Sequence, residues 1–351
     1  MIENFNLNFI FNSPLKKKLI KNIHNNFKFI SFYGNFYLTT DFYLPICAEN
    51  FCTSTDLFGF YVKEKYSELL NVNLEKKVSR DKDNIEVIED AFICGSTGNY
   101  YHDLIDCYSR LFSFDKNFLF HKNITKIVIS NSHIKGVLEH FLERLSIECP
   151  ILVLKKNNLY KFKNSIIVAN RKFDRTIKLY KKFYSKKYVT PQKNIFISRK
   201  DSKMRIIENE DEVYDYLKKY NFENITLTGK SFEEQIDLFS SSKIIISMHG
   251  AALTNLLFAQ PGSKVIELSA NYIKNSEDWY TEKNSKKFNH FTRHNFNVMA
   301  EICDIDHYFY FSRVNKITGD KNLKFDFQEL TYANQIVDMK VFKNLCNQVL
   351  R

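Results

Sequence analysis

The spacing of apolar positions divides the chain into short and long runs. Asn194–Ser198 (NIFIS), NITLT at 224–228, KIIIS at 243–247 and KVIEL at 264–268 are five-residue runs of strand character. Longer stretches with helical spacing separate them. One opens at Asn209, with Glu212 three residues on as an N-cap pairing, and runs through EDEVYDYLKKY. The next opens at Ser231, where Glu234 completes a capping box, and reads SFEEQIDLFSSS. A short helix follows Gly250, and Pro261-Gly262 turns the chain into KVIEL. This alternation predicts a parallel sheet with helices on both faces.

The first half repeats the pattern more loosely. AFICG at 91–95 leads through a glycine-bearing turn into the helix NYYHDLIDCYSRLF, whose apolar face is Leu104, Ile105, Tyr108, Leu111 and Phe112. TKIVIS at 125–130, the helix IKGVLEHFLERLS, ILVLK at 151–155 and SIIVAN at 165–170 continue the alternation. The first ninety residues are rich in aromatics and show no assignable pattern. The lysine-rich segment 171–193, ending at Pro191, reads as a hinge. A last helical pattern at about 328–350 carries Leu330, Ile336, Val337, Val341, Leu345 and Val349. The expected domains are therefore 1–190 and 191–327, followed by a C-terminal helix over 328–351.

Composition narrows the function classes. A chain of 351 residues with 44% hydrophobic content suits two globular domains. No apolar run reaches the length of a membrane span. In MIENFNLNFIFNSPLKKK the lysines follow the apolar residues, the reverse of a secretory signal. Seven cysteines (47, 52, 94, 107, 149, 303 and 346) are scattered without paired metal spacing, and are expected to be reduced thiols of a cytoplasmic protein. The net charge of +11 is spread along the chain, with no nucleic-acid motif, so no nucleic-acid partner is expected. Compositional bias, phosphorylated substrates and peripheral contact with the anionic inner face of the cell membrane all remain consistent with it.

Ligands of open parallel sheets bind beyond the carboxyl ends of the strands. His249 lies at such an end, and Gly250, Ala251 and Ala252 open the next helix, where backbone N–H groups and the helix dipole favour a phosphate. The plain alternative is a tight turn that needs small residues. Glu267, near the end of the next strand, is placed to accept from ribose hydroxyls, or is an exposed strand-end acid. Arg199 and Arg205 leave the same edge in the loop RKDSKMR, and guanidinium groups suit a diphosphate; a solvated basic loop is the alternative. In the first half, His102, Asp106 and Arg110 recur at i, i+4, i+8. They read as a general base held by a carboxylate, or as a solvated face with an Asp106–Arg110 pair.

The runs FISRKDSKMRIIENEDE and EEQIDLFSSSKIIISMHGAALTNLLFAQPGSKVIEL resemble the signature of glycosyltransferase family 61. NYYHDLIDCYSRL is similar to that family's N-terminal motif, except that Asp103 stands where a tryptophan usually follows the histidine. The resemblance covers roughly residues 90 to 270. It implies a GT-B fold, with two Rossmann-like α/β domains and parallel sheets facing a central cleft, and a final helix crossing back to the first domain. It implies inverting, metal-independent transfer from a nucleotide-sugar, a UDP-sugar, to a glycan or lipid-linked glycan in cell-surface polysaccharide synthesis, with no cofactor. Arg199, Arg205, His249, Gly250, Ala251 and Glu267 match the donor-side motifs, with Thr254 and Asn255 in the same helix. His102 matches the first-domain motif; as base it has Asp106 and Asp103 as substitutes. The rival readings are a metal-dependent GT-A transferase, using DKD at 81–83 or DID at 304–306, and a non-catalytic polyanion-binding protein.

Overall fold

Two units divide the chain, Met1–Thr176 and Ile177–Arg351, and each has its own sheet. The computed structural model describes residues 85–113, 123–130, 132–155, 158–168, 173–184, 190–203, 205–270, 294–316 and 334–350, with the strand backbone of 16–21, 28–39 and 45–47. The division falls within the segment expected as a hinge and before the expected boundary at 190.

The sheet of the first unit is mixed. Strands β4 (Glu86–Glu89), β5 (Ala91–Ile93), β6 (Lys126–Ile129), β7 (Ile151–Val153) and β8 (Leu159–Val168) are parallel to one another. Three strands in the region that sequence left unassigned extend it antiparallel: β1 (Lys16–Lys21), β2 (Lys28–Thr39) and β3 (Pro45–Cys47). Helical run α1 follows β5. It is α-helical over Tyr100–His102, π-helical over Asp103–Cys107 and 3-10 over Tyr108–Ser113. Its predicted apolar residues, Leu104, Ile105, Tyr108, Leu111 and Phe112, are all buried. Helix α2 (Lys135–Arg144) packs on it through Phe141, whose ring meets Tyr108 and Phe112 edge-on.

In the second unit the strand order is β10-β9-β11-β12-β13-β14, parallel throughout except for β14. The predicted strands are β9 (Lys193–Ile197), β10 (Phe222–Ile225), β11 (Ser242–Met248) and β12 (Lys264–Ala270). Two more, β13 (Asp306–Lys316) and β14 (Asn334–Ile336), complete the sheet. Helix α3 (Phe173–Phe183) spans the division between the units. One face of the sheet buries Phe196, Ile244, Ile246, Ile266, Leu268 and Tyr310 against α4 (Glu210–Leu217) and α7 (Met339–Val349). Residues of opposite parity on the strands face α5 (Phe232–Ser240), a 3-10 helix (Ala251–Phe258) and α6 (His294–Cys303). Helices thus cover both faces, as the alternation predicts, and the chain is α/β.

The caps divide into one that holds and one that does not. Ser231 Oγ accepts from the Glu234 N–H at 3.1 Å, and the Glu234 carboxylate accepts from the Ser231 N–H at 2.6 Å, closing the capping box. Asn209 does not cap α4. Its side chain pairs with the backbone of Val337 in both directions, at 2.8 and 3.0 Å, and so joins α4 to the start of the last helix.

The final element also departs from expectation. Asn334–Ile336 is a strand, and the helix begins only after Asp338, whose carboxylate accepts from the N–H groups of Lys340 and Val341. Of the apolar residues expected on a helix crossing back to the first domain, Val337, Leu345 and Val349 lie in the core of the second unit, together with Phe342 and Cys346. An amphipathic stripe shows that a helix packs on something, and strand order decides on what. No described helix is long and apolar enough to cross a membrane. The five described cysteines are unpaired.

Candidate nucleotide and base sites

The carboxyl edge of the second sheet gathers three of the donor-side residues around one glycine. Arg199 and Arg205 flank a loop that leaves β9, and a Cβ on Gly250 would stand 3.2 Å from Arg205 Nη1 and 3.4 Å from Arg199 Nη1. Gly250 has extended backbone, so its need is space under two guanidinium groups rather than an unusual dihedral. Arg205 Nη1 donates to the His249 carbonyl at 3.2 Å, and Arg199 Nε donates to the Arg205 carbonyl at 3.2 Å.

The loop is braced at both ends. Glu210, buried in the first turn of α4, accepts from Ser198 Oγ and from the Arg199 N–H. Beyond it, the Ile206 N–H donates to Asn334 on β14, and the Gln335 N–H donates to the Ile206 carbonyl. Between these anchors Arg205 holds a left-handed backbone, φ 57°, which costs an arginine of order 1 kcal/mol and persists where surroundings over-determine it. Burial pulls the Arg199 guanidinium below its ordinary value, against the raising influence of Asp201 and Glu210.

Glu267 does not present an oxygen to a ribose. It is 1% exposed; Oε1 accepts from His249 Nδ1, and Oε2 accepts from His307 Nε2 at 2.8 Å. Burial pushes its carboxyl up, but the charge and hydrogen bond of His249, followed by the hydrogen bond of His307, outweigh it and hold it down at about 2. Its position explains this role: Glu267 lies on the parity of Val265, on a buried face, where a carboxylate without a donor would be prohibitive. His307, on β13 opposite Val265, escaped sequence analysis because nothing local marks it. The only available signal was the unpaired acid in KVIEL, which demanded a partner from another strand.

The remaining donor-side expectations divide. Ala251 is half-buried at the start of the 3-10 helix, where the first N–H groups lack intrahelical acceptors. Thr254 and Asn255 are fully buried within it. Asn255 Nδ2 donates to Gln235 on α5 at 3.0 Å, so it fastens two helices rather than facing a ligand.

In the first unit, His102 Nδ1 and Asp106 Oδ2 are 2.7 Å apart, and both side chains are 38% exposed. Asn99 caps α1 by accepting from the N–H groups of Tyr101 and His102. Asp103, placed where the related motif has tryptophan, is fully buried and accepts from Ser96 Oγ, the Thr97 N–H and hydroxyl, and the Gly98 N–H. Burial raises its carboxyl above the usual range against those hydrogen bonds, and it locks the loop instead of serving as a base. Gly98 makes this wrap possible with φ 78°, open to glycine at no steric cost. Arg110 is not on the exposed row either; it is buried and donates to the Cys94 carbonyl at 2.9 Å, beyond a π-helical turn that resets the register.

Of the two acidic triplets, DKD lies outside the described residues. DID lies at the amino end of β13, where Asp304 forms a turn whose carbonyl accepts from the Gly262 N–H, at the edge opposite His249.

Residues 100–266 match a family model described as Glycosyltransferase 61. The EGF domain-specific O-linked N-acetylglucosamine transferase of Drosophila melanogaster is 34% identical over 87 residues, which cover 23% of this chain and 16% of that relative's length. The matched region takes in His102, Asp106, Arg199, Arg205, His249 and Gly250 and stops one residue short of Glu267. Over residues 100–266, the chain is thus similar to glycosyltransferase family 61.

Proposed function

We propose that the chain transfers a sugar from a UDP-sugar to a hydroxyl of a glycan or lipid-linked glycan, with inversion and without a metal. The observation that carries this reading is the convergence of Arg199 and Arg205 on Gly250, beside His249 and at the start of a helix. Two bidentate cations, a helix terminus and a histidine form a cradle for a diphosphate. In a single displacement, the acceptor oxygen bonds to the anomeric carbon as the bond to the phosphate oxygen breaks. Charge then builds on the departing UDP, where fixed cations stabilise it most.

His102 is the proposed base. With Nδ1–H donated to Asp106, Nε2 carries the lone pair that would take the acceptor proton, and the resulting imidazolium is stabilised by the carboxylate. The relative's name supports an O-linked product and a nucleotide-activated hexosamine among the donors to test. The reading extends to cell-surface polysaccharide synthesis at the cytoplasmic face of the membrane, where the +11 charge favours an anionic surface.

A melting-shift screen of nucleoside diphosphates and nucleotide-sugars, with and without EDTA, tests it. UDP is expected to raise Tm equally in both. No shift with UDP removes the donor assignment, and a shift abolished by EDTA removes the metal-free mechanism.

A further inference from the structure

His249, Glu267 and His307 form a buried chain of two imidazoles bridged by one carboxylate. An ionised Glu267 balances one imidazolium. A second would leave surplus positive charge inside a unit that already holds Arg199 and Arg205 nearby. The cluster therefore has room for one imidazolium at most, and two rings that could carry it.

The two imidazoles are not equivalent. An imidazolium carries N–H donors on both nitrogens, and a buried donor without an acceptor is costly. His307 uses Nε2 on Glu267, and its buried Nδ1 has no hydrogen-bond partner among the described residues. A second proton on His307 would be such an orphan. His249 leaves no buried nitrogen in that condition, and it stands at the edge of the sheet. The groups facing His249 are Glu267 from β12, Arg205 on its own carbonyl, Arg199 beside Gly250 and the apolar ring of Phe296 from α6 at 5.5 Å.

We propose that His307 is a positioning residue of the donor site: it donates Nε2–H to Glu267, stays neutral, and so assigns the positive charge of the cluster to His249. The consequence for function rests on the donor reading above. A charged His249 offers Nε2–H to a phosphate oxygen, whereas the neutral form with Nδ1–H on Glu267 would turn a lone pair towards it.

The charge assignment is tested without any ligand by 15N spectra of the protein labelled at histidine. His249→Gln and His307→Gln variants serve to assign the two rings. The spectra are expected to show His249 protonated on both nitrogens and His307 on Nε2 alone. The reverse assignment, or a His249 that carries a single ring proton, overturns the proposal.

UDP affinity of the His307 variants, measured by calorimetry, then tests the effect on the site. His307→Gln keeps an N–H donor to Glu267 and is expected to bind within about threefold of the wild type, while His307→Leu loses about tenfold, the scale of one hydrogen bond to a charged group. Equal loss in both variants means a merely steric role and overturns the proposal. Wild-type protein that binds no UDP defeats the donor reading while leaving the 15N spectra to decide the charge.

Discussion

Each unit pairs a histidine Nδ1 with a carboxylate, and the two pairs are opposites in every other respect. His102 and Asp106 sit one turn apart on a helix and are each 38% exposed. His249 and Glu267 come from adjacent strands, are buried, and share a third member from another strand. Water screens the first pair, so it adds little to stability. The second lies in a medium where an unpaired charge is intolerable, so its protons are held in place. The same two residue types thus suit the proposed proton acceptor in one setting and a fixed electrostatic support in the other.

Substitution of the acids should separate these roles most sharply. Glu267→Leu strands two buried histidines and is expected to cost about 3–5 kcal/mol in denaturant unfolding, whereas Asp106→Leu is expected to cost under about 1 kcal/mol. Comparable losses at the two positions would erase the distinction. His102→Ala should lower kcat by roughly 10²–10⁴ in a sugar-transfer assay, with UDP affinity and Tm unchanged. A normal kcat would remove the exposed pair from the chemistry.

Arg205→Ala should reduce kcat/KM by about 10²–10³ and abolish the UDP melting shift, because it removes a cation that meets the developing charge. Gly250→Ala pushes its Cβ to 3.2 Å from Arg205 Nη1, and a displacement of tenths of an ångström is expected to weaken UDP binding about tenfold by calorimetry.

A further effect is one of pH. The folded state holds the Glu267 carboxyl at about 2, below its ordinary 4.5. Its contribution to stability is therefore complete above about 4.5 and lost as pH falls from there towards about 2. Unfolding free energy measured across that window should fall more steeply in the wild type than in Glu267→Gln. Parallel curves would mean that the carboxylate is not preferentially ionised in the folded protein.

Much of this was legible in the chain. The strands at 193–197, 242–248 and 264–270, the capping box at Ser231 and the apolar face of α1 depend on residues within a few positions of one another. Arg199, Arg205 and His249 were readable as candidates because a parallel sheet brings the carboxyl ends of its strands to one edge. Asp103 was misread as a substitute base. Its acceptor role becomes visible only when the loop from Ser96 to Gly98 folds over it. The last helix was extended into 328–338 because Ile336 and Val337 fit its stripe, although Asp338 was the cap that starts it.

What the sequence by itself determined was the alternation of strands and helices, most of their limits, and a set of cations and small residues at one sheet edge. Tertiary structure alone decided that Glu267 faces inward, that its partners lie 18 and 40 residues away, and that the last helix packs within the second unit. The reason is physical: propensities and caps act through neighbours along the chain, whereas the partner of a buried charge is set by which strands lie side by side.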